Sequence, residues 1–110
     1  MLKIGIVGSG FMGRTHATAW AKLPVKLVGV CSSDQTRAKA LADQYGARTF
    51  ETLDALLGAV DVIDICTPTH LHHEMVLQAA KAGKHIVCEK PLARTVAQAR
   101  DMIDACKKAN

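Results

Sequence analysis

The chain has 110 residues, room for one domain whose single core buries somewhat over ~60% of the unfolded surface. Hydrophobic residues make up 49% and aromatic ones 4%, so small aliphatic side chains must fill that core, as suits helices packed on parallel strands. The net charge of +4 comes from scattered basic residues with no run longer than Lys107-Lys108 and no interleaved aromatics, which argues against a nucleic-acid surface; the excess still suits an anionic ligand.

No apolar run approaches the roughly 18 residues of a membrane span, so no membrane association is expected. Met1 leads directly into a strand, so no secretory signal is expected. Cys31, Cys66, Cys88 and Cys106 form no Cys-x-x-Cys pair, and their spacing fits neither a zinc site nor a small secreted scaffold. Three of them end predicted strands, where a thiol acts as a small hydrophobe. All four are expected to be reduced, in a cytoplasmic protein.

In chain order, strands and helices alternate without a linker. The first strand is predicted over Leu2 to Val7, followed by a helix from Phe11 to Leu23 that Pro24 closes. A second strand, Lys26 to Cys31, precedes a helix capped by Asp34 and running to Tyr45, with Gly46 after its end. A short third strand, Arg48 to Phe50, leads to a brief helix from Thr52 through Leu57. The fourth strand, Asp61 to Cys66, contains Asp64, which must lie at a sheet edge or find a donor. After Thr67-Pro68-Thr69 comes a helix from Leu71 to Ala82, ended by Gly83. The fifth strand is His85 to Cys88, and a capping box at Thr95-Val96-Ala97-Gln98 opens a last helix to Lys108. This alternation predicts one α/β domain over residues 1–110, a doubly wound parallel sheet in the order 3-2-1-4-5. Ligands of such sheets sit beyond the strand C-termini, between strands one and four.

The stretch that falls there is Gly8-Ser9-Gly10-Phe11-Met12-Gly13, a Gly-x-Gly-x-x-Gly turn between a strand and a helix. Gly8 allows the tight turn, Gly10 lets a pyrophosphate approach the backbone, and Gly13 lets the helix pack on its strand. Unpaired N–H groups at the helix start would face the phosphates. This predicts a bound dinucleotide. Where such folds place an acid after strand two, this chain has Ser32. A carboxylate repels a 2′-phosphate, whereas a hydroxyl donates to it. Ser32, Ser33 and Arg37 are therefore candidates for a phosphate site, and Ser32-Ser33-Asp34 also reads as a helix cap. The expected cofactor is NAD or NADP, with a slight preference for NADP. His70, His72 and His73 lack an i, i+4 pair and an acid of defined geometry, so no metal site is expected. Thr67 and Pro68 are expected to wall the cofactor groove with His72 near the substrate. Lys90 in Glu89-Lys90-Pro91 offers a hydrogen-bond donor or, once desolvated, a proton-transfer group.

The glycine turn, Cys66-Thr67-Pro68-Thr69-His70-Leu71-His72 and Gly83-Lys84-His85-Ile86-Val87-Cys88-Glu89-Lys90-Pro91-Leu92 occur in that order. Together they resemble the N-terminal domain of the glucose–fructose oxidoreductase / inositol dehydrogenase (Gfo/Idh/MocA) family, over essentially the whole chain. The resemblance implies a Rossmann fold that binds NAD or NADP, in an oxidoreductase acting on a hydroxyl of a sugar, polyol or related compound. It implies that Lys90 lies near nicotinamide and substrate as the catalytic residue, that Glu89 positions the cofactor, and that Thr67, Pro68 and His72 line the same groove. Thr69 stands where many members have Asn, and Ser32 replaces the commoner Asp. The family places a second α/β domain after this one, and these 110 residues stop in the helix after strand five. The chain is thus expected to be a truncated form, a fragment or a degenerate protein, inactive alone toward substrate. Apolar surface left bare by that domain would favour a homodimer. The alternative reading is a non-catalytic nucleotide-binding or sensing module, and a third is an interaction domain with a vestigial glycine turn.

Overall fold

The computed structural model describes residues 1–110. Its strands are β1 (Lys3–Val7), β2 (Lys26–Cys31), β3 (Arg48–Phe50), β4 (Val62–Ile65) and β5 (His85–Cys88). Its helices are α1 (Phe11–Trp20), α2 (Gln35–Gln44), α3 (Leu53–Leu57), α4 (His72–Lys81) and α5 (Val96–Ala109). The strands form one parallel sheet in the order β3-β2-β1-β4-β5, the order that the strand–helix alternation predicts. No helix is long and apolar enough to cross a membrane.

Local chemistry sets the element ends. Asp34 caps α2 by accepting from the Arg37 N–H at 3.0 Å, and Thr52 caps α3 by accepting from Ala55 at 3.1 Å. Thr95 caps α5 by accepting from Gln98 at 3.1 Å. Helix α1 stops at Trp20, short of the predicted Leu23, because Lys22 and Leu23 donate to Ala19 and Trp20 and tighten the chain ahead of Pro24. The predicted helix start at Leu71 is a 3₁₀ turn over Thr69–Leu71 that runs into α4.

Alternation along the strands gives the sheet two apolar faces. Ile4, Ile6 and Val62 bury themselves against Ala17 of α1 and Ala38, Leu41 and Ala42 of α2. Val7, Ile63 and Ile65 pack on the other face with Leu56 of α3, Val76 and Ala79 of α4 and Met102 of α5. Helix α3 comes close because the strands beneath it carry glycine. A Cβ on Gly5 would sit 2.9 Å from Leu56 Cδ1, and one on Gly29 would press on the Phe50 ring and on Leu56.

Asp64 is not at an edge. It lies in β4, between β1 and β5, and is fully buried. The donor it needs comes from α1. The Trp20 indole donates to Asp64 Oδ2 at 2.7 Å, and His16 Nδ1 lies 2.8 Å from the same oxygen. His16 and Trp20 are four residues apart, so one face of α1 presents both to the carboxylate. Strand β5 forms the sheet edge and leaves Val87 38% exposed.

The glycines under α3 make a testable claim about packing. Gly29→Ala should destabilise the chain by about 1–3 kcal/mol, the usual cost of overpacking, read as a lower urea midpoint at unchanged slope.

Candidate functional site

A cleft of about 780 Å³ opens at the C-terminal ends of β1, β2 and β4. Its walls come from three chain segments: Val7 to Gly10 with Met12, Cys31 to Gln35 with Arg37, and Cys66 to Pro68 with His70 and Leu71. Glu51 and Met75 complete it. The sheet topology thus brings Gly8, Ser9, Gly10, Met12, Ser32, Ser33, Arg37, Thr67 and Pro68 together at the predicted switch point.

The three glycines of the turn are there for different reasons. Gly8 adopts φ +107°, and a Cβ on it would meet the Cys66 carbonyl at 2.7 Å. A Cβ on Gly13 would overlap the Gly8 carbonyl. Gly10 has φ −79°, and a Cβ on it would meet nothing within 4 Å. No backbone strain and no protein neighbour accounts for that glycine. Helix α1, which starts there, has no side-chain cap, so the first N–H groups of Phe11, Met12 and Gly13 have no partner within the helix.

At the β2 end, the Ser9 and Ser32 hydroxyls share a hydrogen bond of 2.7 Å. Ser32 Oγ also accepts from the Asp34 N–H at 3.2 Å. Arg37 Nε lies 3.4 Å from Asp34 Oδ2, so the Arg37 guanidinium faces the carboxylate that caps its own helix. Asp34, read from sequence only as a cap, also lines the cleft.

Other predicted site residues lie outside the cleft walls. Phe11 is 71% exposed at the start of α1, and Gly13 is buried beneath the turn. His72 does not wall the groove. Its side chain is buried, with Nε2 2.8 Å from the Thr67 carbonyl and Nδ1 3.0 Å from the Pro91 carbonyl. Those carbonyls are its reason for burial: the ring ties the Thr67-Pro68 turn to the Pro91-Leu92 turn. Glu89 and Lys90 follow β5, joined to Pro91 by a cis peptide bond. Glu89 is partly buried, Lys90 exposed, and Glu89 Oε1 accepts from the Lys90 N–H at 3.1 Å.

Sequence reasoning missed His16. Its Nε2 lies 2.8 Å from Glu89 Oε2 while Nδ1 faces Asp64. The sequence signal was the i, i+4 spacing of His16 and Trp20 together with an acid in a buried strand. His16, Asp64 and Cys66 hold nitrogen, oxygen and sulfur atoms within 4.8 Å of one another, as metal ligands would. Their chemistry fits protons better. Burial, reinforced by the Asp64 charge and hydrogen bond, pushes the Cys66 thiol up, and its Sγ donates to Asp64 Oδ1 at 3.4 Å. Zinc would require the thiolate.

All four cysteines are free. Burial raises Cys31, and burial with the charges of Asp64 and Glu89 pushes Cys88 up to about 11. At about pH 8 the folded chain should therefore take up an alkylating label first at the exposed Cys106, the other thiols reacting only after denaturation. The shift also signs a pH dependence. An unfolded Cys88 loses its proton from about 9.0 and the folded one near 11, so this contribution to stability is complete below pH 9 and is lost as pH rises to 11. Cys88→Ser should flatten the alkaline limb of a urea-midpoint profile.

Residues 2–110 match the family described as the Gfo/Idh/MocA oxidoreductases with an NAD-binding Rossmann fold. The chain is 40% identical over 112 residues to the D-glucoside 3-dehydrogenase of Escherichia coli, covering 97% of this chain and 32% of that one. It is 41% identical over 123 residues to the levoglucosan dehydrogenase of Pseudarthrobacter phenanthrenivorans, covering 99% of this chain and 31% of the relative. The crystal structure of GenD2 from gentamicin A biosynthesis, in complex with NAD, superposes with a TM-score of 0.95 at 33% identity, over 98% of this chain and 32% of that one. The chain therefore spans about a third of the length of these relatives. With its fold, its glycine turn and this likeness taken together, the chain belongs to the Gfo/Idh/MocA oxidoreductase family, whose NAD-binding Rossmann domain it forms.

Proposed function

We propose that the cleft seats a nicotinamide dinucleotide with its pyrophosphate against Gly10. The chain would serve an oxidoreductase that moves a hydride between this cofactor and a hydroxyl-bearing carbon of a sugar, polyol or related compound. Gly10 carries the reading. Glycine there relieves no strain and avoids no protein atom, so what it leaves room for lies in the cleft, beside the uncapped start of α1. The donors present fit the group: free N–H groups for the phosphates, and Ser32, Ser33 and Arg37 for the adenosine ribose or its 2′-phosphate.

The adenosine half would lie over the end of β2 and the nicotinamide half over β4 and β5. The nicotinamide supplies a hydride acceptor. Thr67 and Pro68 wall that half of the cleft. Lys90, in the turn after β5, is the residue we assign to the substrate hydroxyl, as a hydrogen-bond donor and a path for its proton. A lysine by itself does not hold a substrate in near-attack geometry, where ~1 Å of misplacement costs ~100-fold in rate. Turnover is therefore assigned to a longer protein, and cofactor binding alone to these 110 residues. NADP is the preferred cofactor in this reading, because residue 32 is serine rather than an acid and Arg37 faces the same cleft. Free cysteines fit a reducing cytoplasm. Val87 on the β5 edge and Val96 and Ile103 on α5, all exposed, fit a homodimer.

Calorimetric titration tests the site. Gly10→Val should abolish dinucleotide binding and lower stability by no more than about 1 kcal/mol, the cost of a poorer helix cap; equal binding by both chains would refute the cleft assignment. Ser32→Asp should weaken NADP(H) by about tenfold relative to NAD(H), since like charges ~4 Å apart repel by about 1–4 kcal/mol. A wild-type chain that already prefers NAD(H) would remove the NADP preference.

A further inference from the structure

We propose that His16 is a positioning residue: anchored by the buried Asp64, it clamps Glu89 and so fixes the Glu89-Lys90-Pro91 turn beneath the nicotinamide half of the cleft. The inference rests on the cofactor reading given above, and its new element is the Asp64–His16–Glu89 chain of contacts.

The clamp is bonded at both ends. His16 Nδ1 lies 2.8 and 3.0 Å from the two Asp64 oxygens, and Nε2 lies 2.8 Å from Glu89 Oε2. Each ring nitrogen thus faces a carboxylate. One ring bridges a buried carboxylate and the carboxylate of the turn after β5. Asp64 cannot swing away, because the Trp20 indole holds Oδ2 at 2.7 Å and the Cys66 thiol holds Oδ1. Beyond the clamp, Glu89 spends its other oxygen on the Lys90 N–H and its own N–H on the Ile65 carbonyl at 2.9 Å. The line therefore runs from the sheet interior to the backbone of Lys90.

The core does not ask for this arrangement. The neighbours of Asp64 in β4 are Val62, Ile63 and Ile65, all buried and apolar. A fourth aliphatic residue would fill the strand without desolvating a carboxylate, which is costly unless fully hydrogen-bonded. What the carboxylate adds is the orientation of a half-buried histidine toward Glu89. His72 braces the same turn from the other side through the Pro91 carbonyl.

The test separates the two halves of the cofactor. Calorimetry gives the affinity of the 110-residue chain for the reduced dinucleotide, NADH or NADPH, and for ADP-ribose, which lacks the nicotinamide. His16→Gln and Glu89→Gln should each weaken the dinucleotide by about tenfold while ADP-ribose binding stays at the wild-type value, and the double variant should be little worse than either, as for residues that act through one contact. Glu89→Gln leaves the buried Asp64 contacts intact and so reads the clamp without risk to the fold. Equal loss of both ligands, or full additivity of the two substitutions, would mark a general structural role and overturn the proposal. An unchanged ratio of the two affinities in both variants would do the same. A wild-type chain that binds neither ligand overturns the cofactor reading and this inference together, whereas wild-type binding with unaltered variants overturns this inference alone.

Discussion

Helix α1 comes as close to the end of β1 as two backbones can, and both the cleft and the buried polar line follow from that contact. Gly13 packs so tightly on the Gly8 carbonyl that a single methyl group would overlap it. Gly8 in turn needs a positive φ and sits against the Cys66 backbone. The contact fixes where α1 begins and the line along which it runs. Its first turn, which has no side-chain cap, then starts at Gly10 in the cleft wall, and its second and third turns carry His16 and Trp20 over the sheet. A small displacement of the helix would disturb both consequences, because hydrogen bonds weaken steeply with distance and angle.

The same contact explains how a charged side chain comes to lie in the middle of the sheet. Strand alternation sends Asp64 to the face that α1 covers, where the helix supplies an indole N–H and an imidazole. No buried side-chain polar atom lacks a partner. The polar line so created leaves the core at His16 and reaches Glu89, in the turn after β5. Two histidines thus tie down the turns that follow β4 and β5. His72 joins the Thr67 and Pro91 carbonyls from below, and His16 meets Glu89 from the α1 side.

The β2 end of the cleft is built on shorter-range contacts. The Ser9 and Ser32 hydroxyls join in one hydrogen bond across the β1 and β2 ends, and Asp34 serves both as a helix cap and as part of the cleft wall. Arg37 neutralises that carboxylate locally, which leaves this end without an unpaired negative charge at residue 34.

The strand order, the caps at Asp34, Thr52 and Thr95 and the place of the glycine turn between β1 and α1 are legible in the residues alone. Each of these follows from short-range rules: hydrophobic period, side-chain-to-backbone bonds within a few residues, and the handedness of parallel crossovers. Only the tertiary structure decided the roles of the histidines and of Asp64. One partner of His72, the Pro91 carbonyl, lies 19 residues on, and Asp64 lies 48 residues from His16. Nothing in local spacing tells a histidine that lines a groove from one buried beneath it, because that depends on which carbonyls or carboxylates the packed sheet brings within about 3 Å of the ring. For the same reason Gly10 was legible only as part of a pattern until the fold showed that no atom of the protein occupies the space beside it.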